Sequence, residues 1–203
     1  MKLYVTTTSP YARLAMIVMH DKGLSDQVDL VWTRTRQPED PLLSVNPSGR
    51  VPFLMLADGT GMEETDLIVD YFDALVMPRN YSVPEGDEHW PFRRFEATAR
   101  SMLDGTSVWA REIKRPPEKQ SSEVLDHERR RAIRLADYFE GAIYDKVFQI
   151  GLTKPQILLF CALDLERRIP HFSWRTEHPN LRGWFQRMED LPAVIKSLPP
   201  ENT

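Results

Sequence analysis

Over the first eighty or so residues, short apolar runs of strand length alternate with stretches whose apolar positions recur at helical spacing. Beyond about residue 90 only the helical spacing continues. Leu3, Tyr4 and Val5 form a β-prone run that gives way to the polar Thr6, Thr7 and Thr8. Ser9-Pro10 then reads as a helix start, with a hydroxyl at the cap and a proline whose φ is pre-set for the first turn. Tyr11, Leu14, Ala15 and Val18 repeat at helical spacing and Gly23 supplies the stop; residues 28–32 make a second strand, so the chain opens as a β-α-β unit. An irregular stretch rich in proline and charge fills 33–50, and a third strand is predicted at 53–56. Ala57-Asp58-Gly59-Thr60 carries the Asp-Gly hairpin signal and leads to a fourth strand near Gly61-Met62. Thr65 is the expected N-cap of a further helix, whose apolar stripe is Leu67, Ile68, Tyr71, Phe72 and Leu75. This order, β-α-β, an irregular helix, then β-β-α, predicts a small mixed sheet covered by helices.

The second half holds no convincing strand. Two prolines, a glycine and several polar residues at 78–88 suit a linker between domains, so the expected organisation is an α/β domain at 1–77 and an all-helical domain at 89–203. Helices are predicted at 89–112, 122–145, 154–168 and 178–189. Thr153 and Gln156 have the spacing of a capping box at the start of the third, with Leu152 and Ile157 placed as its hydrophobic staple.

Composition narrows the partners. The chain of 203 residues carries 26 Lys plus Arg against 30 Asp plus Glu, a net charge of −4, which argues against general affinity for nucleic acid or an anionic membrane. Arg129, Arg130, Arg131 and Arg134 stand beside Asp126, Glu128 and Asp137, the pattern of a solvated helix face. Cys161 is the single cysteine; it sits in an apolar stretch where it is expected to be a small buried hydrophobe, and without a second cysteine neither an internal disulfide nor dithiol redox chemistry is available. The first residues turn polar too early for a secretory signal and no apolar run approaches the ~20 residues that cross a bilayer, so the expected location is the cytoplasm. The five histidines, His20, His89, His127, His171 and His178, lack metal-ligand spacing, so no metal is expected.

Three segments carry candidate chemistry, each with a plain structural alternative. Ser9 stands at a helix N-terminus, where free N–H groups and a partial positive charge suit an anion such as a thiolate; equally, it serves there as a cap. In Asn46-Pro47-Ser48-Gly49-Arg50-Val51-Pro52-Phe53, a cis Val51-Pro52 bond at a strand start would offer the Val51 backbone to a peptide-like ligand as an added strand; a trans proline would simply end the loop. In Glu63-Glu64-Thr65, an acid followed by a hydroxyl at a helix start matches an α-amino-acid group, the acid taking the ammonium and the hydroxyl with the helix N–H groups taking the carboxylate. Acids placed to favour the helix dipole give the same pattern.

In order and spacing, the Ser9-Pro10, Val51-Pro52 and Glu64-Thr65 segments resemble the glutathione S-transferase family, and the resemblance extends through Asp104-Gly105 and the closing His178-Pro179. It implies a thioredoxin-like N-terminal domain followed by an all-α helical bundle. It further implies an enzyme of the bacterial serine type, binding glutathione as cosubstrate for attack on a small electrophile in a detoxification reaction. By position, Ser9 would be the thiol-activating hydroxyl, and Arg50, Val51, Pro52, Glu64 and Thr65 would hold glutathione, Val51 through its backbone. Tyr4 is the rival activator, because other branches of the family use a tyrosine near this strand's end, although its strand position favours sheet packing. Tyr11, Met102, Thr106 and Trp109 are the candidate lining for the electrophile. The family pattern also implies a homodimer. Dehalogenase, ether-cleaving and isomerase chemistry stay open, and a non-catalytic binding or regulatory protein of the same fold is the alternative. Thr65 stands where serine is usual, and Gln156 where aspartate is usual.

Overall fold

The computed structural model describes residues 1–200, which fall into two compact units. The first comprises Met1–Ser82 together with the segment that begins at Asp190; the second is Val83–Glu189.

In the first unit, β1 (Lys2–Val5), α1 (Pro10–Asp21) and β2 (Asp29–Trp32) form a β-α-β crossover with β1 and β2 parallel. The short α2 (Leu42–Val45) follows, then β3 (Phe53–Met55), β4 (Gly61–Met62) and α3 (Thr65–Leu75). The sheet order is β2-β1-β3-β4, with β3 antiparallel to β1 and β4 antiparallel to β3. Central β1 buries Leu3, Tyr4 and Val5, so both of its faces are covered. Strand alternation separates them: Tyr4 packs with Phe53 and Leu42 on the face under α2, while α1 and α3 cover the other. The last described helix, α9 (Pro192–Lys196), packs on α1. Pressed by β1, α3 and α9, helix α1 buries Leu14 through Met19 without a break, as expected of a helix apolar nearly all round.

The outward face of α3 differs from the predicted stripe. Thr65, Ile68, Val69, Phe72 and Asp73 are buried, whereas Leu67 and Leu75 are about half exposed. Asp73 is the reason for the turned face. Fully buried, it binds Lys22 Nζ at 2.9 Å and accepts the N–H groups of Asn80 (3.0 Å), Tyr81 (3.1 Å) and Ser82 (2.9 Å) and the Ser82 hydroxyl (2.8 Å). Lys22 also donates to the Pro78 carbonyl at 2.6 Å, and the Tyr81 hydroxyl donates to Asp21 at 2.5 Å. Residues 78–82 are thereby tied down to α1 and α3.

The second unit is helical: α4 (His89–Ile113), α5 (Ser122–Ala142), α6 (Lys154–Leu163), α7 (Trp174–Glu177) and α8 (Pro179–Glu189). Every residue of α6 is buried, and α4 packs along it. Edge-to-face rings link Phe95, Phe139, Phe148 and Trp184, and Phe160 stacks on Phe185. The α6 helix ends at Leu163 and tightens into a 3₁₀ turn over Asp164–Arg168, where a single helix to 168 is predicted. The capping box is not formed. The Gln156 amide reaches past Thr153 and donates to the carbonyls of Val147 (2.7 Å), Ile150 (3.0 Å) and Gly151 (2.9 Å), and the Thr153 hydroxyl donates to Val147 instead of capping. The Gln156 amide N–H groups are thereby committed to the three carbonyls of the loop before α6, which orients the side chain away from the cap. Among the described residues, no helix is long and apolar enough to cross a membrane.

Candidate active site

Strand register brings the three chemistry-bearing segments to one end of the sheet. β1 ends at Val5 and the chain runs on to Ser9. Because Tyr4 lies opposite Phe53 in antiparallel register, Val51 and Pro52 lie at that same end and outside the ladder. Leu54 lies opposite Met62, again antiparallel, so Glu63, Glu64 and Thr65 emerge there too.

Ser9 is the N-cap of α1. Its backbone is extended (φ −84°, ψ 117°), its Oγ accepts the Ala12 N–H at 3.2 Å, and its carbonyl accepts the Arg13 N–H at 3.0 Å. A hydroxyl has two lone pairs and one proton. The cap occupies a lone pair and leaves the proton to donate. Pro10 at the first helical position has no N–H to orphan. Tyr4 is 9% exposed, and its ring sits 5.8 Å from that of Phe53 and against Leu42. It is a packing residue of the sheet face.

The turn that delivers Arg50 is organised by a residue the sequence did not single out. Asn46 is buried; its Nδ2 donates to the Arg50 carbonyl at 3.0 Å and its Oδ1 accepts the Ser48 N–H at 3.0 Å. The Ser48 hydroxyl accepts the Arg50 N–H at 3.1 Å and donates to the Glu63 carboxylate. Gly49 adopts φ +63°, a conformation that calls for glycine, and a Cβ there would lie 2.8 Å from Leu43 Cδ2, the tip of an exposed side chain. The Asn-Pro-Ser-Gly sequence signals a turn, but the long-range bond to Glu63 has no local signal. Upstream, Asp40 fixes the start of α2 by accepting the Leu42 N–H at 2.9 Å and the Arg34 N–H at 2.6 Å. The Thr33 hydroxyl foremost, then these N–H groups, hold the Asp40 carboxyl below its usual range.

Arg50 and Glu64 face each other at 3.4 Å with both side chains exposed. Such a pair contributes at most about 1 kcal/mol, which leaves both groups free to take a ligand. The N-cap of α3 is Glu64, one residue before the predicted Thr65, and its side chain makes no capping bond. The positive end of the helix macrodipole is therefore not closed by its own cap. Thr65 is buried at the first helical position, and the Val51–Pro52 peptide bond is cis. Of the residues expected to line an electrophile site, Tyr11 is half-buried in the first turn of α1. Met102, Thr106 and Trp109 share the buried face of α4 in the second unit. The Thr106 hydroxyl donates to the Met102 carbonyl at 2.9 Å, and the Trp109 ring lies 5.6 Å from Phe172. Among the described residues, no group of three or more His, Cys, Asp or Glu side chains is placed to hold a metal ion.

A four-stranded mixed sheet with helices on both faces, joined to a helical second unit and carrying a serine at the first helix start, defines a thioredoxin-like domain followed by an α-helical one. The chain belongs to the glutathione S-transferase family: residues 8–75 match the description "Glutathione S-transferase, N-terminal domain" and residues 103–192 match "Glutathione S-transferase, C-terminal domain", together more than half of the chain. A glutathione transferase family member from Pseudomonas fluorescens, solved with bound glutathione, is 28% identical and covers 98% of each chain with a TM-score of 0.87. Glutathione S-transferase 2 of Saccharomyces cerevisiae is 28% identical over 98% of this chain and 89% of its own length. An uncharacterised GST-like protein of Escherichia coli, YibF, is 24% identical over 99% of this chain and its full length.

Proposed function

We propose that the chain is a glutathione transferase in which Ser9 stabilises the thiolate of glutathione for attack on a small electrophile. The observation that carries this reading is the Ser9 cap: Oγ accepts from Ala12 N–H, so its proton is available to a second group at the positive end of α1. The other residues at this end of the sheet match the remaining groups of the tripeptide. Glu64 suits the ammonium, Thr65 and the start of α3 suit the neighbouring carboxylate, Arg50 suits an anion, and the Val51 backbone suits a peptide group. The glutathione-bound Pseudomonas relative supports the choice of ligand.

A free thiol has a pKa of about 8.5, so only a few per cent is ionised at neutral pH. A hydroxyl hydrogen bond to a charged sulfur is worth about 1.5–3 kcal/mol and a helix N-terminus about 0.3–1 kcal/mol more. At about 1.36 kcal/mol per unit, together they lower the pKa by roughly one to three units, and a shift beyond about 1.5 units makes the thiolate the major species at neutral pH. Tyr11, in the first turn of α1, is the proposed first-unit contact of the electrophile. The chain would work in the cytoplasm, where glutathione sets the thiol balance, and as a homodimer. The half-exposed Leu67 and Leu75 of α3 support self-association. Retention on immobilised glutathione, followed by a screen of electrophiles, tests the enzyme; failure to bind would remove it. Sedimentation giving a species of one chain's mass at micromolar concentration would remove the dimer.

A further inference from the structure

Helix α9 ends in a contact that reaches the first turn of α1. Arg13 lies one turn after Ser9, and its own N–H donates to the Ser9 carbonyl at 3.0 Å. Its Nε donates to Ser197 Oγ at 3.3 Å. Ser197 is fully buried, caps α9, and passes its hydroxyl proton to the Val194 carbonyl at 2.7 Å. Behind this bond, Ala193 and Val194 are buried where α9 packs on α1. The turn that carries the Ser9 hydroxyl is thus held from two sides: by its own backbone, and by a side chain anchored 184 residues away in the sequence.

We infer that Arg13, through Ser197, is a positioning residue that fixes the Ser9 hydroxyl for the thiolate, so that the segment beginning at Asp190 is part of the thiol-activating device. This inference rests on the reading of Ser9 given above. A hydrogen bond to a thiolate is sensitive to direction and distance, and a donor displaced by a few tenths of an ångström loses strength. Arg13 serves because its long side chain spans from α1 to α9 while its backbone belongs to the capped turn. Ser197 serves because its hydroxyl accepts one bond while donating another.

The test uses the full chain with glutathione, reading the ultraviolet absorbance of the bound thiolate against pH. The variants are Ser197→Ala, Arg13→Met and the double variant, with Arg13→Lys as the conservative control and glutathione affinity measured in parallel. Each single variant should raise the thiolate midpoint by roughly half a pH unit, about a threefold loss of thiolate below it, as for a weakened hydrogen bond. The double variant should shift it no further than the larger single shift, because the Arg13–Ser197 bond is already lost in each single variant. Arg13→Lys should retain part of the effect. An unchanged midpoint in folded Ser197→Ala overturns the inference, whatever its thermal stability. Should Arg13→Met fail to fold, the Ser197→Ala result decides alone. If the unaltered chain bound to glutathione shows no lowered midpoint, the Ser9 reading fails; if it does and the variants match it, only the role of Arg13 and Ser197 fails.

Discussion

Replacing Asp73 by alanine should destabilise the first unit more than replacing its partner Lys22 by methionine, although the two changes break the same ion pair. Both side chains are buried, with 3% and 0% of the Lys22 and Asp73 side chains exposed. Removing one member of a buried pair costs about 3–5 kcal/mol, because the other charge is left uncompensated. The structure separates the two cases. Without Asp73, Lys22 keeps the Pro78 carbonyl and the Tyr81 ring but no counter-charge, and the N–H groups of Asn80, Tyr81 and Ser82 lose their acceptor at once. Without Lys22, Asp73 still accepts from those three N–H groups and from the Ser82 hydroxyl. The excess for Asp73→Ala should therefore be about 1–3 kcal/mol, the cost of orphaned buried donors. At roughly 2–4 °C per kcal/mol for a chain of this size, that excess appears as a melting point at least a few degrees below that of Lys22→Met. Burial alone would raise the Asp73 carboxyl, but the bonds from Lys22 and Ser82 outweigh it and hold its pKa below the ordinary 3.8. Stability from a depressed carboxyl is present above its unfolded pKa and is lost as pH falls through the folded one. Asp73→Asn should thus flatten the acid loss of stability below pH about 4. Thermal unfolding of the three chains across pH 2–7 is the assay. A Lys22→Met chain as unstable as Asp73→Ala would refute the hub assigned to Asp73.

Other outcomes follow from the same geometry. Glu64→Gln should weaken glutathione binding by roughly tenfold or more, the scale of a charged hydrogen bond, and unchanged affinity by calorimetry would remove Glu64 from the ligand's ammonium. Gly49→Ala places a methyl against Leu43 at a positive φ and should cost about 1–3 kcal/mol in unfolding free energy measured by urea titration; a neutral substitution would mean the turn relaxes freely.

The local punctuation of the fold was legible because each mark has a backbone reason. Ser9-Pro10 suits a helix start, Gly23 adopts the φ of +68° that a helix stop uses, and Asp58-Gly59 closes the β3–β4 hairpin with the Asp58 carboxylate accepting the Thr60 N–H at 2.9 Å. What failed to show was decided by partners distant in sequence. On α3, Leu67 and Leu75 mark one stripe, and Val69 and Asp73 help define another. Only the arrival of Lys22 and residues 80–82 turns the polar Asp73 inward. Gln156 fits a capping template by spacing, yet three carbonyls of the preceding loop claim it. The short helices α7 and α9 are too brief for periodicity to register. In the site, Ser9, Pro52 and Glu64 stood out as residue types at element starts. Arg13 did not, because its partner Ser197 arrives only in the folded chain, and Asn46 did not, because the turn it organises is completed by the distant Ser48–Glu63 bond.

The measurement closest to the central claim is the pH titration of the thiolate band in the glutathione complex, run on the unaltered chain, Ser9→Ala and Tyr4→Phe. The hydroxyl at the α1 cap should set the midpoint. The unaltered chain should then titrate one to three units below the free thiol's value of about 8.5, Ser9→Ala should move most of the way back, and Tyr4→Phe should leave it in place. Ser9→Ala should also lose about 1 kcal/mol of stability as a missing cap, a separate effect read by unfolding. A midpoint that stays put in Ser9→Ala and rises in Tyr4→Phe would contradict the account and leave Ser9 as a helix cap alone.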